Sequence, residues 1–365
     1  MPLSHSAGTM TRRGPEGRPN PTTDMASAMA PPTYGSDDNG LICGYLFRDG
    51  AAGLPVDAAA AIACLQSGSP GPRGVAWLHF NLSHARAEAW LRDHAELPDE
   101  FFAALREGSR ASRIHRDGDT VFAVINDVTF DFSFDAAELA TLWVSVRQGL
   151  VVSARRHPLR SVDRLRASVK RGEVFDSGIG LLDHLLRDQA DELQLIVRKA
   201  GERVDDIEDA MLARHAGRHG TELSQLRRLA VRLNRLMSPE PGALQRVVAN
   251  PPYWVQPPDA QRLREAGDDF GVALRDVASL QDRIKLLQDE ASSRVAEENN
   301  RSLFLLTMVT VLALPINLSA GLLGMNVGGI PLAQHPEGFW LVVAVIGAFT
   351  AAVGWLAWRR LAPRD

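Results

Sequence analysis

The chain is predicted to fold as an α+β membrane protein: an N-terminal domain of mixed sheet and helices, a long stalk helix and two C-terminal transmembrane helices. Three observations predict this. Strand-like apolar runs alternate with helical patterns between residues 41 and 172, and a seven-residue apolar repeat runs from Leu263 to Ala291. Near the C-terminus, two stretches of about 20 residues carry no charge, each long enough to cross a bilayer core of roughly 30 Å.

Residues 1–40 are rich in Pro, Gly, Ser and Thr with almost no large apolar side chains, and a disordered leader is expected there. The leader has no apolar core of the kind a secretory signal needs, so the domain behind it is expected to stay on the side where it is made. Met10 and Met25 are alternative starts. Residues 41–172 then read as an α/β domain, with strands around Val75-Ala76-Trp77-Leu78, Val121-Phe122-Ala123-Val124-Ile125 and Leu150-Val151-Val152. Helices fall between them at Ala85 to Leu91 and, after a Leu97-Pro98-Asp99 stop and start, at Asp99 to Leu105.

Residues 173–258 are wholly helical in pattern. Leu181, Leu182, Leu185, Leu186, Leu193 and Ile196 share one side of a segment continuing through Val204, Ile207 and Met211, and a second helix is expected from about Thr221 to Leu236. The Pro-rich piece from Asn250 to Pro258 ends this region, and Asp259 is placed to cap the next helix. That stalk, residues 259–302, carries Leu263, Phe270, Val277, Ile284 and Ala291 at seven-residue steps, with Ala266, Ala273, Leu280 and Leu287 three residues after each of the first four. It spans roughly 60 Å at 1.5 Å per residue. A heptad seam leaves open which chain supplies its partner: the helices at 175–236, or another copy.

Residues 303–323 and 339–358 are the two membrane spans, joined by a connector at 324–338 and followed by a tail at 359–365. The connector has no Lys or Arg, whereas Arg301 flanks the first span and Arg359, Arg360 and Arg364 follow the second, so both termini are expected in the cytoplasm. Trp340, Trp355 and Trp358 suit an aromatic belt. Pro315 interrupts the first span's hydrogen-bond ladder at the carbonyl of Val311, and a bend is expected. Two spans cannot enclose a water-filled path with satisfied backbone, so closure is expected from a ring of several chains.

Composition excludes other classes. A hydrophobic share of 45% supports a packed core, and a net charge of -4 gives no basic excess for nucleic acid. Cys43 and Cys64 lack C-x-x-C spacing and read as ordinary thiols. There is no P-loop, Gly-x-Ser-x-Gly or His-Glu-x-x-His, so neither an enzyme nor ATP-driven transport is expected.

Gly324-Met325-Asn326, closing the first of two C-terminal membrane helices, resembles the signature of the CorA superfamily of divalent metal-ion transporters. Asn300, Thr307, Pro315 and Gly321 fall in the register of that family's inner helix. The continuation Val327-Gly328-Gly329-Ile330-Pro331 resembles the ZntB-like, zinc-transporting branch, while Met325, which many ZntB-like proteins replace, leans toward magnesium. The resemblance implies an α/β/α cytoplasmic domain, a funnel of stalk helices, and a homopentamer with its pore lined by the first membrane helix. It implies an inner (plasma) membrane location, a lipid bilayer as surroundings, and Zn2+ or Mg2+ as transported ion rather than bound cofactor.

The expected chemistry follows. A ring of Asn326 carbonyls beside Gly324 and Met325 holds a divalent ion through its hydration shell. Below it Thr307, Leu306, Leu303 and Leu314 form polar and apolar rings, with Asn300 as a second carbonyl ring at the mouth. Asp289, Glu297 and Glu298 concentrate cations there; Glu337 and His335 in the connector are first contacts outside. His215 and His219 stand at i, i+4 but have no third ligand nearby in sequence. The weighed alternatives are a magnesium, cobalt or nickel channel of the same architecture, and a membrane-tethered coiled-coil sensor in which the hairpin is only an anchor.

Overall fold

The computed structural model describes residues 35–48, 50–66, 74–108, 112–213, 220–325 and 335–361. They fall into two compact units: the first takes residues up to 133 with 138–192 and 236–271, the second 134–137, 193–235 and 272 onward.

The first unit is built on one seven-stranded sheet. Its strands are β1 (Leu41–Phe47), β2 (Leu54–Pro55), β3 (Val75–Asn81), β4 (Arg113–Asp117), β5 (Thr120–Val128), β6 (Leu139–Arg147) and β7 (Leu150–Arg155). They lie in the order β2-β1-β3-β7-β6-β5-β4. Only β3 and β7 pair in parallel, with Trp77 opposite Val151; the other ladders are antiparallel. The apolar runs are continuous rather than alternating because both faces are covered. Along β5, Val121, Ala123 and Ile125 point into one core and Phe122 and Val124 into the other.

The Phe122 face packs on α1 (Ala58–Gln66), α2 (Ala87–His94) and α3 (Asp99–Glu107) through Ala61, Trp90, Leu91, Phe101 and Leu105. The Ile125 face packs on α4 (Arg160–Lys170), the start of α5 (Gly178–Leu212), α7 (Glu240–Ala249) and the start of α8 (Pro257–Leu323). The result is an α/β/α sandwich. α2 ends on basic residues and α3 opens on Asp99 and Glu100, each matching the helix dipole.

In the second unit the later part of α5, α6 (Gly220–Met237) and α8 share a core of Ala200, Val204, Ile207, Met211, Leu223, Leu226, Leu280, Ile284 and Leu287. The seam residues of α8 therefore find their apolar partners within the same chain. Arg283 reinforces the contact by pairing with Asp205 and Glu208 of α5. α8 continues without interruption through Pro315, and α9 (Gly338–Leu361) follows. Both carry windows long and apolar enough to cross a membrane, with no residue of those windows buried. The pairing of Asn, Leu and Thr on one side of α8 is what positions the site.

Candidate ion-conduction face

At about 100° per residue, Asn300, Leu303, Thr307 and Leu314 lie within an arc of roughly 60° on α8, and Gly321 continues it. Leu303 and Leu314 are 61% and 63% exposed, so no described residue covers this stripe. The less exposed positions Met308, Leu312, Pro315 and Ser319 form another stripe about 120° round the helix. On α9 the corresponding positions are Val342, Ile346 and Thr350. Leu306, expected in the pore, lies about 60° beyond that arc and, at 65%, is equally exposed.

Two polar residues missing from the sequence reading flank that stripe. Thr310 and Asn317 continue the i, i+3, i+7 spacing from Asn300, Leu303 and Thr307, and that spacing was the available signal. Thr307 Oγ1 donates to Leu303 O at 2.8 Å and Thr310 Oγ1 to Leu306 O at 2.9 Å, so each hydroxyl is satisfied inside the apolar segment.

The helix ends where Gly324 N donates to Ala320 O at 2.9 Å. A Cβ on Gly324 would stand 2.9 Å from that same carbonyl oxygen, which explains the need for glycine in physical terms. Met325 is 52% exposed. Asn326, His215 and His219 lie outside the described residues. In the described end of the connector His335 and Glu337 are exposed, and Glu337 N lies 3.3 Å from His335 Nδ1. Among the described residues no group of three or more His, Cys, Asp or Glu side chains is arranged to hold a metal ion.

Below the membrane segment Asp289, Glu297 and Glu298 are exposed and make no ion pair among the described residues, in contrast to Glu290, which binds Arg294. Asp289 falls on the same arc as Asn300. Glu297 lies about 60° from Asn300 and Glu298 about 160°, so the three acids are not equivalent.

The first unit contains a separate cavity of about 350 Å³ whose lining includes Glu173, Phe175, Asp183, His184, Asp188 and Arg262. His184 stands between two carboxylates, with Nδ1 2.9 Å from Asp188 and Nε2 3.3 Å from Glu173. Burial opposes its charged form, but the hydrogen bond and charge of Asp188, aided by Glu173, win and raise its pKa. Burial also raises the Asp183 carboxyl, against the pull of Arg187.

Residues 72–359 match the family profile described as CorA-like Mg2+ transporter protein. The divalent cation transporter CmaX of Pseudomonas aeruginosa is 28% identical over 331 residues, covering 89% of this chain and 97% of that one. The zinc transport protein ZntB of Pectobacterium carotovorum is 26% identical over 280 residues, covering 76% and 85%. The full-length CmaX structure superimposes with a TM-score of 0.73 over 89% of this chain and 99% of that one, at 28% identity. The CorA magnesium transporter of Methanocaldococcus jannaschii shares the fold, with a TM-score of 0.67 at 18% identity, over 88% and 98%. The profile match over residues 72–359 takes in most of the sheet domain, the long helix and both apolar helices, and the chain belongs to the CorA-like family of Mg2+ transporter proteins.

Proposed function

We propose that this chain moves divalent cations through a homo-oligomeric pore lined by α8, with zinc as the favoured ion. The observation that carries the reading is the uncovered Asn300, Leu303, Thr307, Leu314 stripe, which runs from the end of the stalk into the charge-free stretch of α8 at 303–323. A single chain leaves it bare, and a ring of copies turns it inward. In that ring Asn300 and Asn326 supply neutral carbonyl oxygens that hold a hydrated ion without stripping it, and the leucines form constrictions that close by dewetting. The preference for zinc is supported by the similarity to ZntB and by the Val327-Gly328-Gly329-Ile330-Pro331 continuation. An inside-negative potential favours entry by roughly 4.6 kcal/mol per 100 mV for a divalent ion, so uptake is the downhill direction.

A magnesium, cobalt or nickel channel is the second reading, favoured by the family profile and by the retention of Met325. Ion uptake into proteoliposomes holding zinc-sensitive or magnesium-sensitive dye, with and without a pH gradient, separates the two. Zinc entry enhanced by protons supports the first; magnesium or cobalt entry driven by voltage alone supports the second. No flux of any ion overturns both and returns the tethered sensor.

A further inference from the structure

Glu240 opens α7 and is wholly buried, with 0% of its surface exposed. Among the described residues no ion pair reaches it. Arg160 and Arg164 of α4 both bond Glu192 of α5. On β4, Arg113 pairs with Glu107, His115 with Glu100, and Arg116 reaches Asn250 and Pro251 O. At the start of α8, Arg262 is held by Asp259. The charge that does act on Glu240 is another buried acid, Asp127 of β5, which accepts from Ser161 N at 3.0 Å and Val128 N at 2.7 Å.

The hydrogen bonds leave the carboxyl only partly satisfied. Gln189 Nε2 donates to Asn126 O at 2.6 Å and to Glu240 Oε1 at 3.2 Å, and the Ser112 hydroxyl also reaches the carboxyl. Glu240 Oε2 and Gln189 Oε1 are sealed from solvent with no hydrogen-bond partner among the described residues. A full negative charge sealed there with one oxygen unpartnered is strongly disfavoured, whereas a carboxylic acid carries a donor of its own into a site where Gln189 Oε1 still lacks one.

We propose that Glu240 is a proton-controlled latch for α7: protonated, it lets the helix sit on the sheet, and it ionises when α7 lifts and admits water. Burial pushes its carboxyl up to about 8, with Ser112 and Gln189 pulling the other way and the Asp127 charge adding to the rise. The seat is the apolar contact of Ala243, Leu244 and Val247 with the sheet core. Ser112 N, donating to Leu236 O at 2.7 Å, ties the chain just before α7 to the strand side. Because α8 begins at Pro257, shortly after α7 ends, the latch sits at the root of the helix that carries the conduction face.

The direction follows from linkage. The seated carboxyl titrates near 8 and the lifted one near the ordinary 4.5, so between those values lifting releases a proton. Raising the pH by one unit within that window multiplies the lifted fraction up to about tenfold, and acidification tightens the latch. This holds whichever ion the protein carries.

The test is amide hydrogen exchange of the full chain in detergent between about pH 6 and pH 8, corrected for intrinsic exchange. The opening equilibrium of α7 in the wild type is expected to rise up to about 100-fold across those two units, and the Glu240→Gln variant to lose that slope. Equal slopes in both, or a flat wild type, overturn the proposal. Should Glu240→Gln fail to fold, the infrared carboxylic-acid band reads the latch directly in the wild type and in Asp127→Asn. A band that bleaches near pH 8 and bleaches at lower pH in Asp127→Asn supports it; no such band overturns it.

Discussion

Replacing Glu297 by Gln tests whether the acids below the pore act through space. Glu297 precedes Asn300 by three residues, about 4.5 Å along the axis and about 60° round it, which puts its carboxylate on the order of 10 Å from an ion at the proposed Asn300 ring. At that distance in water one carboxylate attracts a divalent ion by about 0.8 kcal/mol. Screening reduces this to about 0.6 kcal/mol at 10 mM salt and about 0.2 kcal/mol at 150 mM. Each subunit's Glu297 then raises local ion occupancy about threefold at low salt and about 1.5-fold at high salt. Glu298 faces away, roughly 20 Å from the same ion, and is worth about 1.4-fold at low salt and almost nothing at high salt. Initial uptake rates into proteoliposomes, at an ion concentration well below saturation and at both salts, should fall in that order. A loss that is the same at both salts, or larger in Glu298→Gln than in Glu297→Gln, refutes the reasoning and assigns these residues a structural role.

Three further outcomes are expected. Asn326→Ala should abolish flux while the oligomer persists in size-exclusion chromatography with light scattering, because a methyl group cannot replace a carbonyl ligand. Ile284→Ala empties a fully buried seam position against Val204 and Ile207 and should cost about 2–5 kcal/mol, read as a lowered urea midpoint for the helical hairpin of α5, α6 and α8. The His184 pKa is raised, so the stability its charge contributes is fully present below its ordinary 6.5 and is lost as pH rises through the higher folded value. His184→Leu should therefore flatten the decline in thermal stability that the wild type shows above pH 6.5, a slope read by thermal unfolding in detergent.

Much of the architecture is legible because it follows periodicity. The runs at 75–78, 121–125 and 150–152 became β3, β5 and β7, and the charge-free stretches fall within α8 and α9. What sequence could not supply was the partner of each face. The seam from Leu263 to Leu287 is the same whether a copy or α5 and α6 cover it, and only the folded chain shows Ile284 beside Val204 and Ile207. Charge composition is equally silent about burial. Glu192, Asp127 and Glu240 have the composition of a solvated surface, yet all three are buried because arginines, backbone amides or a retained proton compensate them. The helix at Glu240–Ala249 falls inside the region read as wholly helical, between the expected helix end near Leu236 and the Pro-rich piece from Asn250; Pro239 stands at its N-cap and Pro241 in its first turn, where a missing N–H costs nothing. On the proposed conduction face, Thr310 and Asn317 lie outside the family register of Asn300, Thr307, Pro315 and Gly321 and show only in the i, i+3, i+7 spacing of the stripe.

The two threonine hydroxyls on α8 carry one more implication. Thr307 and Thr310 commit their hydrogens to the carbonyls of Leu303 and Leu306, so the side of each oxygen that remains available can accept but not donate. Water clothing a cation turns its hydrogens outward, and water clothing an anion turns its oxygen outward. A wall of acceptors grips the first kind of shell and gives the second no hold. In the proposed pore, these two hydroxyl rings would favour a cation's hydration shell over an anion's without any formal charge of their own.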